Sequence, residues 1–368
     1  MTFDERLKAI CAGMAARNLD LIVAVHDGAH FIETPNPVTV ISGVKSLGPA
    51  ICLLDHTGVI TLIVAPAWDA ERVRVMGQHA RVQVIGADDV VEGLRAALPP
   101  GLAVGTAGLA FAPSGIALRV MEICPEATEA DDVVFDAAAR KTRYEVRWAR
   151  HATHIAERNY AHLLDIARPG MSEDELAVEL RLHSRSLGAE DNFLLLCAGP
   201  HNRAVAPSNG RRIQHGDIIL AEITPSYFGQ LAQICRTVVV GEAPELLRQK
   251  YALVVEAMNA GIASARPGAR MADVCAAINE VLEAQGYGEY CYPPHIRRRG
   301  HGLGFASIRP GDVALDNNTV LEPGMVFMIH PNQYLPETGY LLCGEPVLVG
   351  DTHAEPLTRR QAALAELR

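Results

Sequence analysis

Four isolated polar side chains lie in apolar or glycine-rich stretches in the second half of the sequence. Glu222 and Gln233 interrupt the apolar segment 216–241, His301 lies between two glycines, and His330 ends an apolar run. Burying a lone carboxylate costs several kcal/mol, so such a residue is paired, hydrogen-bonded or functional. Because imidazole titrates near neutral pH, two histidines near a carboxylate can act as acid and base. A lone histidine at a strand end is, however, more often a core residue with satisfied hydrogen bonds.

The first pair of these residues lies in a predicted β-hairpin. Strands are predicted at 218–223 and 231–240, joined through the breaker-rich turn 225–229. Glu222 and Gln233 then lie on facing arms. The hairpin is therefore a candidate floor for a functional site.

The hairpin belongs to a pattern that occurs twice in the sequence. Two predicted helices joined by the turn Ala-Arg-Pro-Gly, at 167–170 and again at 265–268, precede predicted hairpins at 216–241 and 324–349. A unit of two helices and a hairpin that recurs predicts a duplicated domain with a pseudo-two-fold axis. The two hairpins are expected to face each other across a cleft.

The first part of the chain has a different organisation. Predicted helices and strands alternate over residues 1–140, without the GxGxxG of a phosphate-binding loop. The charged segment 140–145 is typical of a hinge into a second domain, and a length of 368 residues suits two domains. We therefore predict an N-terminal α/β domain over 1–140 and a second domain over 141–368.

Composition narrows the class of protein. A formal net charge of −10 argues against general binding of nucleic acids or anionic membranes, and no apolar run approaches the ~20 residues of a membrane span. The first residues contain no secretory signal, so a cytoplasmic location is expected. The eight cysteines are scattered singly, which is typical of reduced, buried thiols.

The sequence resembles the pita-bread superfamily, which includes methionine aminopeptidases, aminopeptidase P, prolidase and creatinase. The resemblance rests on the segments GDIILAEI, ICRTVVVG, GHGLG and LEPGMVFMIHP. It implies an α+β fold in which a smaller creatinase-type α/β domain precedes a duplicated pita-bread domain. It also implies a homodimer acting on a small-molecule substrate.

Metal-dependent members of this superfamily hold two ions with carboxylates and the histidine of the GHG motif. The resemblance places Glu222, Gln233, His301, His330 and Gly344 at those positions, with Glu345 one residue further on. A glutamine bridges two cations poorly because its amide oxygen is neutral. We therefore expect neither an ordinary dinuclear peptidase nor a metal cofactor.

At the positions where the sequence differs from the metal-dependent members, it most resembles creatinase, a metal-independent branch of the superfamily. We predict a hydrolase or lyase that acts on a C–N bond of a small polar substrate other than creatine. His301 and His330 act as acid and base, and Glu222 and Gln233 orient the substrate. The resemblance adds a loop histidine, here His201, and the turn residue Phe228 as substrate contacts. We also include Glu345 among the substrate-binding residues.

Two alternatives stay open. In one, Gln233, His301 and His330 hold a single divalent ion in a mononuclear hydrolase or Xaa-Pro peptidase-like enzyme, since two imidazoles and an oxygen suit Zn, Fe or Ni. In the other, the protein is a catalytically inactive binding protein. Arg309 and the basic run 297–299 flank the GHG motif, and one of these arginines is a hypothetical partner for a substrate carboxylate. A solvated basic edge is the more ordinary interpretation, and Arg309, just past the site strand, is the better candidate.

Overall fold

The computed structural model describes residues 1–76 and 82–367 of the chain. The fold consists of two compact units. The N-terminal unit comprises Met1–Arg143 and Phe305–Ile308, and the C-terminal unit comprises Tyr144–Gly304 and the residues from Arg309 onward. Phe305 and Ile308 pack against the apolar core of the N-terminal unit. No pattern in the sequence had indicated that residues 305–308 belong to the N-terminal unit.

The N-terminal unit is built on a mixed sheet with helices packed against it. Its strands are β1 (Leu21–His26), β2 (Ala50–Asp55), β3 (Ile60–Val64), β4 (Val82–Gly86), β5 (Val104–Ala107) and β6 (Thr128–Glu129), in the spatial order β4-β3-β2-β1-β5-β6. Its helices are α1 (Phe3–Ala16), α2 (Pro37–Ser42), α3 (Asp69–Met76), α4 (Val90–Ala97), α5 (Ser114–Ile123) and α6 (Asp131–Ala139). Every residue of β1 is buried, as expected for a central strand covered on both faces.

His26 ends β1 as a buried, neutral histidine. The Gly28 N–H donates a 3.0 Å hydrogen bond to its Nδ1, which therefore carries no proton. Burial, followed by the neighbouring His30, lowers the pKa of His26 to about 4. The rings of His26 and His30 stack with centroids 5.0 Å apart.

The C-terminal unit contains the predicted repeat of helix pairs and hairpins. Its helices are α7 (Arg143–Ile166), α8 (Glu173–Ser186), α9 (Glu245–Ser264) and α10 (Met271–Ala284). Its longer strands are β7 (Asp191–Gly199), β8 (Ile218–Tyr227), β10 (Ile234–Val240), β12 (Val326–Ile329) and β15 (Glu345–Val349). Its shorter strands are β9 (Gln230–Leu231), β11 (Gly300–Gly302), β13 (Gln333–Leu335), β14 (Gly339–Leu341), β16 (Ala354–Pro356) and β17 (Ala365–Leu367).

Two sheets of the C-terminal unit meet at one point of backbone pairing. The first has the order β17-β10-β8-β7, and the second has the order β11-β12-β15-β16. Cys235 of β10 and Gly344 exchange backbone hydrogen bonds of 3.3 and 3.2 Å across the two sheets. The two hairpins predicted from the repeat are thus joined in one α+β framework, which confirms the fold class.

Local sequence accounts for the repeated helix pairs. The glycines that end the two Arg-Pro-Gly turns, Gly170 and Gly268, both have positive φ, of 88° and 87°. Ser172 and Glu175 form a capping box at the start of α8. Within the described residues, none of the helices combines the length and apolarity needed to cross a bilayer.

The first hairpin differs in detail from the prediction. β8 runs on to Tyr227, and the tight turn is made by Phe228 and Gly229, whose φ angles are 49° and 75°. The returning arm is divided into β9 and β10, which leaves Gln233 in the break between them. Pro225 belongs to the strand, and its carbonyl accepts a hydrogen bond from Ala232 N–H across the hairpin.

Candidate active site

Four strands of the C-terminal unit bring together the four polar residues singled out in the sequence. Glu222 lies on β8, directly opposite Cys235 of β10, and Gln233 precedes β10. His301 is the central residue of β11, and His330 follows β12, which pairs with β11. The Gln233, His301 and His330 side chains are buried, and Glu222 is half-buried.

A chain of hydrogen bonds links three of these residues. Gln233 Nε2 donates to Glu222 Oε1 over 2.7 Å, and Gln233 Oε1 lies 3.0 Å from His301 Nε2. The other ring nitrogen, His301 Nδ1, lies 3.0 Å from Gly302 O. Both ring nitrogens thus face oxygen atoms that only accept hydrogen bonds. This geometry fits a doubly protonated His301 ring, with the Glu222 carboxylate as counter-charge at the far end of Gln233.

His330 contributes an unused donor atom to the site. Its ring is edge-on to the His301 ring, with centroids 5.2 Å apart. Among the described residues, its buried Nδ1 has no hydrogen-bond partner. Burial, followed by the charge of His301, holds the pKa of His330 well below its usual value. His330 is therefore a neutral imidazole with a nitrogen available to a ligand.

Two residues of the site were missed in the sequence. Cys235 Sγ lies 3.8 Å from Glu222 Oε2, and Asn332 Nδ2 lies 3.9 Å from the same sulfur. Burial and the Glu222 charge raise the pKa of the Cys235 thiol well above its usual value, so the thiol is protonated. The spacing of two residues between Gln233 and Cys235 was a usable signal, because alternate residues of a strand share a face.

Glu345 lies on the opposite face of its strand from this cluster. Its carboxylate accepts a 2.9 Å bond from Arg236 Nη2, and both side chains are almost fully buried. Arg236 also donates to the backbone oxygens of Cys235 and Gly344. Since Gly344 is the residue opposite Cys235, the strand has not slipped by one residue, and Glu345 points away from the four polar residues.

The three remaining predicted substrate contacts lie outside the hydrogen-bonded cluster. His201 Nε2 lies 3.1 Å from Pro336 O, and its exposed ring meets Tyr334 edge-on. Phe228 stacks on Trp148 with ring centroids 5.2 Å apart. Arg309 is exposed. The structure therefore assembles Glu222, Gln233, His301 and His330, and adds Cys235 and Asn332.

The donor atoms of the cluster fit one metal ion better than two. Glu222 is the single carboxylate of the four polar residues, so these residues do not fit two ions bridged by shared carboxylates. Among the described residues, no three His, Cys, Asp or Glu side chains are grouped so that they can hold a metal. The set of His301, His330 and the Gln233 amide oxygen contains only two such residues. The Nδ1 atom of His330, which has no hydrogen-bond partner in the described part of the chain, suits one borderline ion.

Comparison with known proteins gives consistent matches. The model of metallopeptidase family M24 matches residues 147–351. An Xaa-Pro dipeptidase of Pyrococcus furiosus is 26% identical over 98% of this chain and 99% of its own. The uncharacterized peptidase YqhT of Bacillus subtilis is 28% identical over 59% of this chain, and the match spans 62% of that relative's length. The crystal structure of the prolidase from Pyrococcus horikoshii has the same fold, with a TM-score of 0.84 over 97% of this chain and 99% of its own, at 23% identity.

These matches confirm the pita-bread resemblance and correct the expected chemistry. The prediction of a metal-independent, creatinase-like enzyme without a cofactor is wrong, because the matching family is one of metallopeptidases and a relative matching 98% of the chain is an Xaa-Pro dipeptidase. The neutral side chain of Gln233 had suggested an enzyme without a metal, whereas similarity along nearly the whole chain indicates a metallopeptidase. A neutral ligand position disfavours two bridged ions, but it does not exclude one.

Proposed function

Because the chain belongs to metallopeptidase family M24, we propose that it hydrolyses the peptide C–N bond of small Xaa-Pro dipeptides. The main support is the cluster of Glu222, Gln233, His301 and His330 inside the matched region 147–351. Similarity to a Pyrococcus furiosus Xaa-Pro dipeptidase along nearly the whole chain also supports this substrate class.

We propose that a single divalent ion is held by His301, His330 and the amide oxygen of Gln233. When bound, it would supply the Lewis acidity that polarises the scissile carbonyl and acidifies a water molecule. The neutral imidazole of His330, whose Nδ1 has no hydrogen-bond partner within residues 1–76 and 82–367, supports this assignment. His301 would have to release a ring proton on binding, since ligating imidazoles are neutral.

Glu222 is proposed to move the proton. Gln233 Nε2 donates to Oε1, which orients the carboxylate. We assign to Oε2, which lies 3.8 Å from Cys235 Sγ, the role of accepting a proton from the attacking water. The carboxyl group then returns that proton to the departing proline nitrogen as the C–N bond breaks. The products are two amino acids, and Glu222 is ionised again.

Arg309 is proposed to bind the free carboxylate of the dipeptide. Arg309 is an exposed residue and belongs to the same unit as the site. A bidentate guanidinium–carboxylate pair would select substrates that end at the proline. Arg309→Ala is then expected to raise KM for Xaa-Pro dipeptides with little change in kcat, whereas an unchanged KM would contradict the assignment.

The function is tested by peptide hydrolysis and metal content together. Protein purified without chelators is analysed for Mn, Fe, Co, Ni and Zn, and assayed on Ala-Pro, Met-Pro and Ala-Ala. We expect about one ion per chain and turnover of the proline dipeptides that Glu222→Gln lowers by about 10²-fold or more. Glu179→Gln, which changes an exposed glutamate of α8, is the matched control and should retain full activity.

Two results would contradict the proposal. The first is no hydrolysis of any Xaa-Pro dipeptide after supplementation with each metal. The second is an equal rate for Glu222→Gln and wild type. Tight peptide binding without turnover would favour the binding-protein alternative. The homodimer and the cytoplasmic location stay predictions, the former to be tested by light scattering.

A further inference from the structure

A groove with a basic lining lies beside α7, the first helix of the C-terminal unit. It measures about 500 Å³, which is within the range of small-molecule sites. It is lined by three arginines, two histidines and two aromatic residues: Arg147, Arg150, Arg359, His151, His154, Trp148 and Tyr227. None of these lining residues is acidic, although the chain has a formal net charge of −10. A concave basic surface on an acidic protein indicates an anionic ligand.

The spacing of the basic residues along α7 gathers them on one side of the helix. Arg147, His151 and His154 are three or four residues apart, so their side chains follow one another along a single face. Arg359 comes from the C-terminal segment, where its N–H donates to Glu157 Oε1 over 2.7 Å. Glu157 thereby fastens this segment to α7 and places Arg359 beside the helix.

Ring contacts hold the aromatic wall of the groove in place. His151 lies against Tyr227, with ring centroids 4.1 Å apart, and Trp148 is stacked on Phe228 at 5.2 Å. Tyr227 ends β8, and Phe228 belongs to the tight turn that follows it. One wall of the groove is therefore a set of packed rings between α7 and the tip of the first hairpin.

Two of the three arginines have no anionic partner. Arg150 forms an ion pair with Glu355. The side chains of Arg147 and Arg359 are exposed, and neither makes a hydrogen bond or an ion pair within residues 1–76 and 82–367. A phosphate monoester carries a charge of about −1.5 to −2 at pH 7, which matches two uncompensated arginines better than the single charge of a carboxylate does.

The groove lies on the opposite face of β8 from Glu222. Ile219, Ala221 and Ile223 of β8 pack with residues of α7 in one apolar core. Because alternate residues of a strand point to opposite faces, Tyr227 shares the side that faces α7, and Glu222 points the other way. A ligand in the groove would therefore not occupy the candidate active site.

We propose that this groove binds a small phosphorylated molecule, whose phosphate contacts Arg147 and Arg359 and whose organic part lies against Tyr227 and Trp148. Guanidinium groups bind phosphate through paired, charge-assisted hydrogen bonds. A bare ion would leave most of the groove to solvent, since about 500 Å³ is many times the ~30 Å³ of a water molecule. An organic part is therefore needed to fill the groove.

Calorimetric titration of the protein as purified tests the proposal, because it measures binding and does not depend on peptide hydrolysis. The ligands are AMP, glycerol 3-phosphate, inorganic phosphate and adenosine, at constant ionic strength. We expect one phosphate ester per chain to bind at least about tenfold more tightly than inorganic phosphate or adenosine. Tighter binding of AMP would identify a flat aromatic organic part, and tighter binding of glycerol 3-phosphate an aliphatic one.

Three variants locate the binding. Arg147→Gln and Arg359→Gln should each weaken binding of the preferred ester at least about tenfold, because each removes a charged hydrogen-bond donor. Both arginines are exposed, so both variants should keep the Tm of wild type. Arg158→Gln, which changes an exposed arginine of α7 outside the groove lining, is the matched control and should bind as wild type does.

Several results would overturn the proposal. Wild type that binds neither ester has no such site. Inorganic phosphate or adenosine binding as tightly as the esters would show that the groove does not recognise a phosphate together with an organic part. Unchanged binding in Arg147→Gln and Arg359→Gln, or an equal loss in Arg158→Gln, would place the ligand elsewhere. Tighter binding of a single-stranded oligonucleotide than of AMP would replace the small molecule by a nucleic acid.

Discussion

Gln233→Glu should have opposite effects on stability in the absence and in the presence of a divalent metal. The Gln233 side chain lies between two charged groups, with Nε2 2.7 Å from Glu222 Oε1 and Oε1 3.0 Å from His301 Nε2. The substitution preserves the shape of the side chain and replaces the NH₂ group by an oxygen. The variant therefore gains one buried negative charge at the centre of the site.

The size of the effect follows from these distances. With an effective dielectric constant of about 20, the repulsion from Glu222 is about 6 kcal/mol and the attraction to a positively charged His301 is nearly as large. The two terms nearly cancel, which leaves the desolvation of the added carboxylate. Protonation limits the cost, because a carboxyl group with a pKa of about 4.3 can be neutralised at pH 7 for about 3.7 kcal/mol. We expect a loss of about 1–3 kcal/mol without metal.

The assay is denaturant unfolding of metal-free protein, repeated with Zn²⁺ or Mn²⁺. A carboxylate binds divalent ions better than an amide, so the variant should bind the metal at least about tenfold more tightly than wild type and be stabilised more by it. Gln230→Glu is the matched control, since Gln230 is equally buried and the metal should not rescue its variant. Equal metal responses of wild type and Gln233→Glu would refute the metal site that includes Gln233.

Three further predictions concern packing and pH. Gly344→Ala should lower the free energy of unfolding by about 1–3 kcal/mol and also lower kcat/KM, because its Cβ would lie 2.6 Å from His330 Cβ. Thermal unfolding and the peptide assay measure the two effects. Glu345→Ala should destabilise the protein by about 3–5 kcal/mol in denaturant unfolding, because it leaves the buried guanidinium of Arg236 without its carboxylate partner. KM should be unchanged. Because the pKa of His26 is lowered to about 4 in the folded protein, the free energy of unfolding should fall by up to about 3 kcal/mol as the pH drops from about 6.5 to about 4. Denaturant unfolding at several pH values measures this dependence, and His26→Gln should remove it.

The fold was largely predictable because its signals are local and repeated. The two Arg-Pro-Gly turns end in glycines with a positive φ, which other residues avoid. The repeated sequence therefore indicated that the same backbone conformation occurs twice. The alternation of helices and strands over 1–140 likewise reflects burial patterns within each element. The excursion of Phe305–Ile308 to the N-terminal unit was not predictable, since it depends on contacts between residues far apart in the sequence.

The site was predictable in its central residues and not in its periphery. Glu222, Gln233 and the two histidines were visible because each is a lone polar residue in an apolar or glycine-rich stretch. The orientation of Glu345 depended on a register that Gly344 sets by pairing with Cys235, a contact between two sheets. A strand pattern with period two gives the alternation of faces, but it does not say which face meets the site.

Gly344 and His330 are coupled by a close approach that a larger residue would not allow. A Cβ atom at position 344 would lie 2.6 Å from His330 Cβ, which is the rigid start of a side chain rather than a flexible end. A longer carboxylate side chain at 344 would therefore not fit beside His330 on this backbone. The close contact involves the Cβ atom of residue 330, which every residue except glycine carries, so it accounts for the glycine at 344 and not for the histidine at 330. Gly344 supplies no side-chain ligand and His330 supplies a neutral nitrogen, a combination that favours one borderline ion over two hard ones.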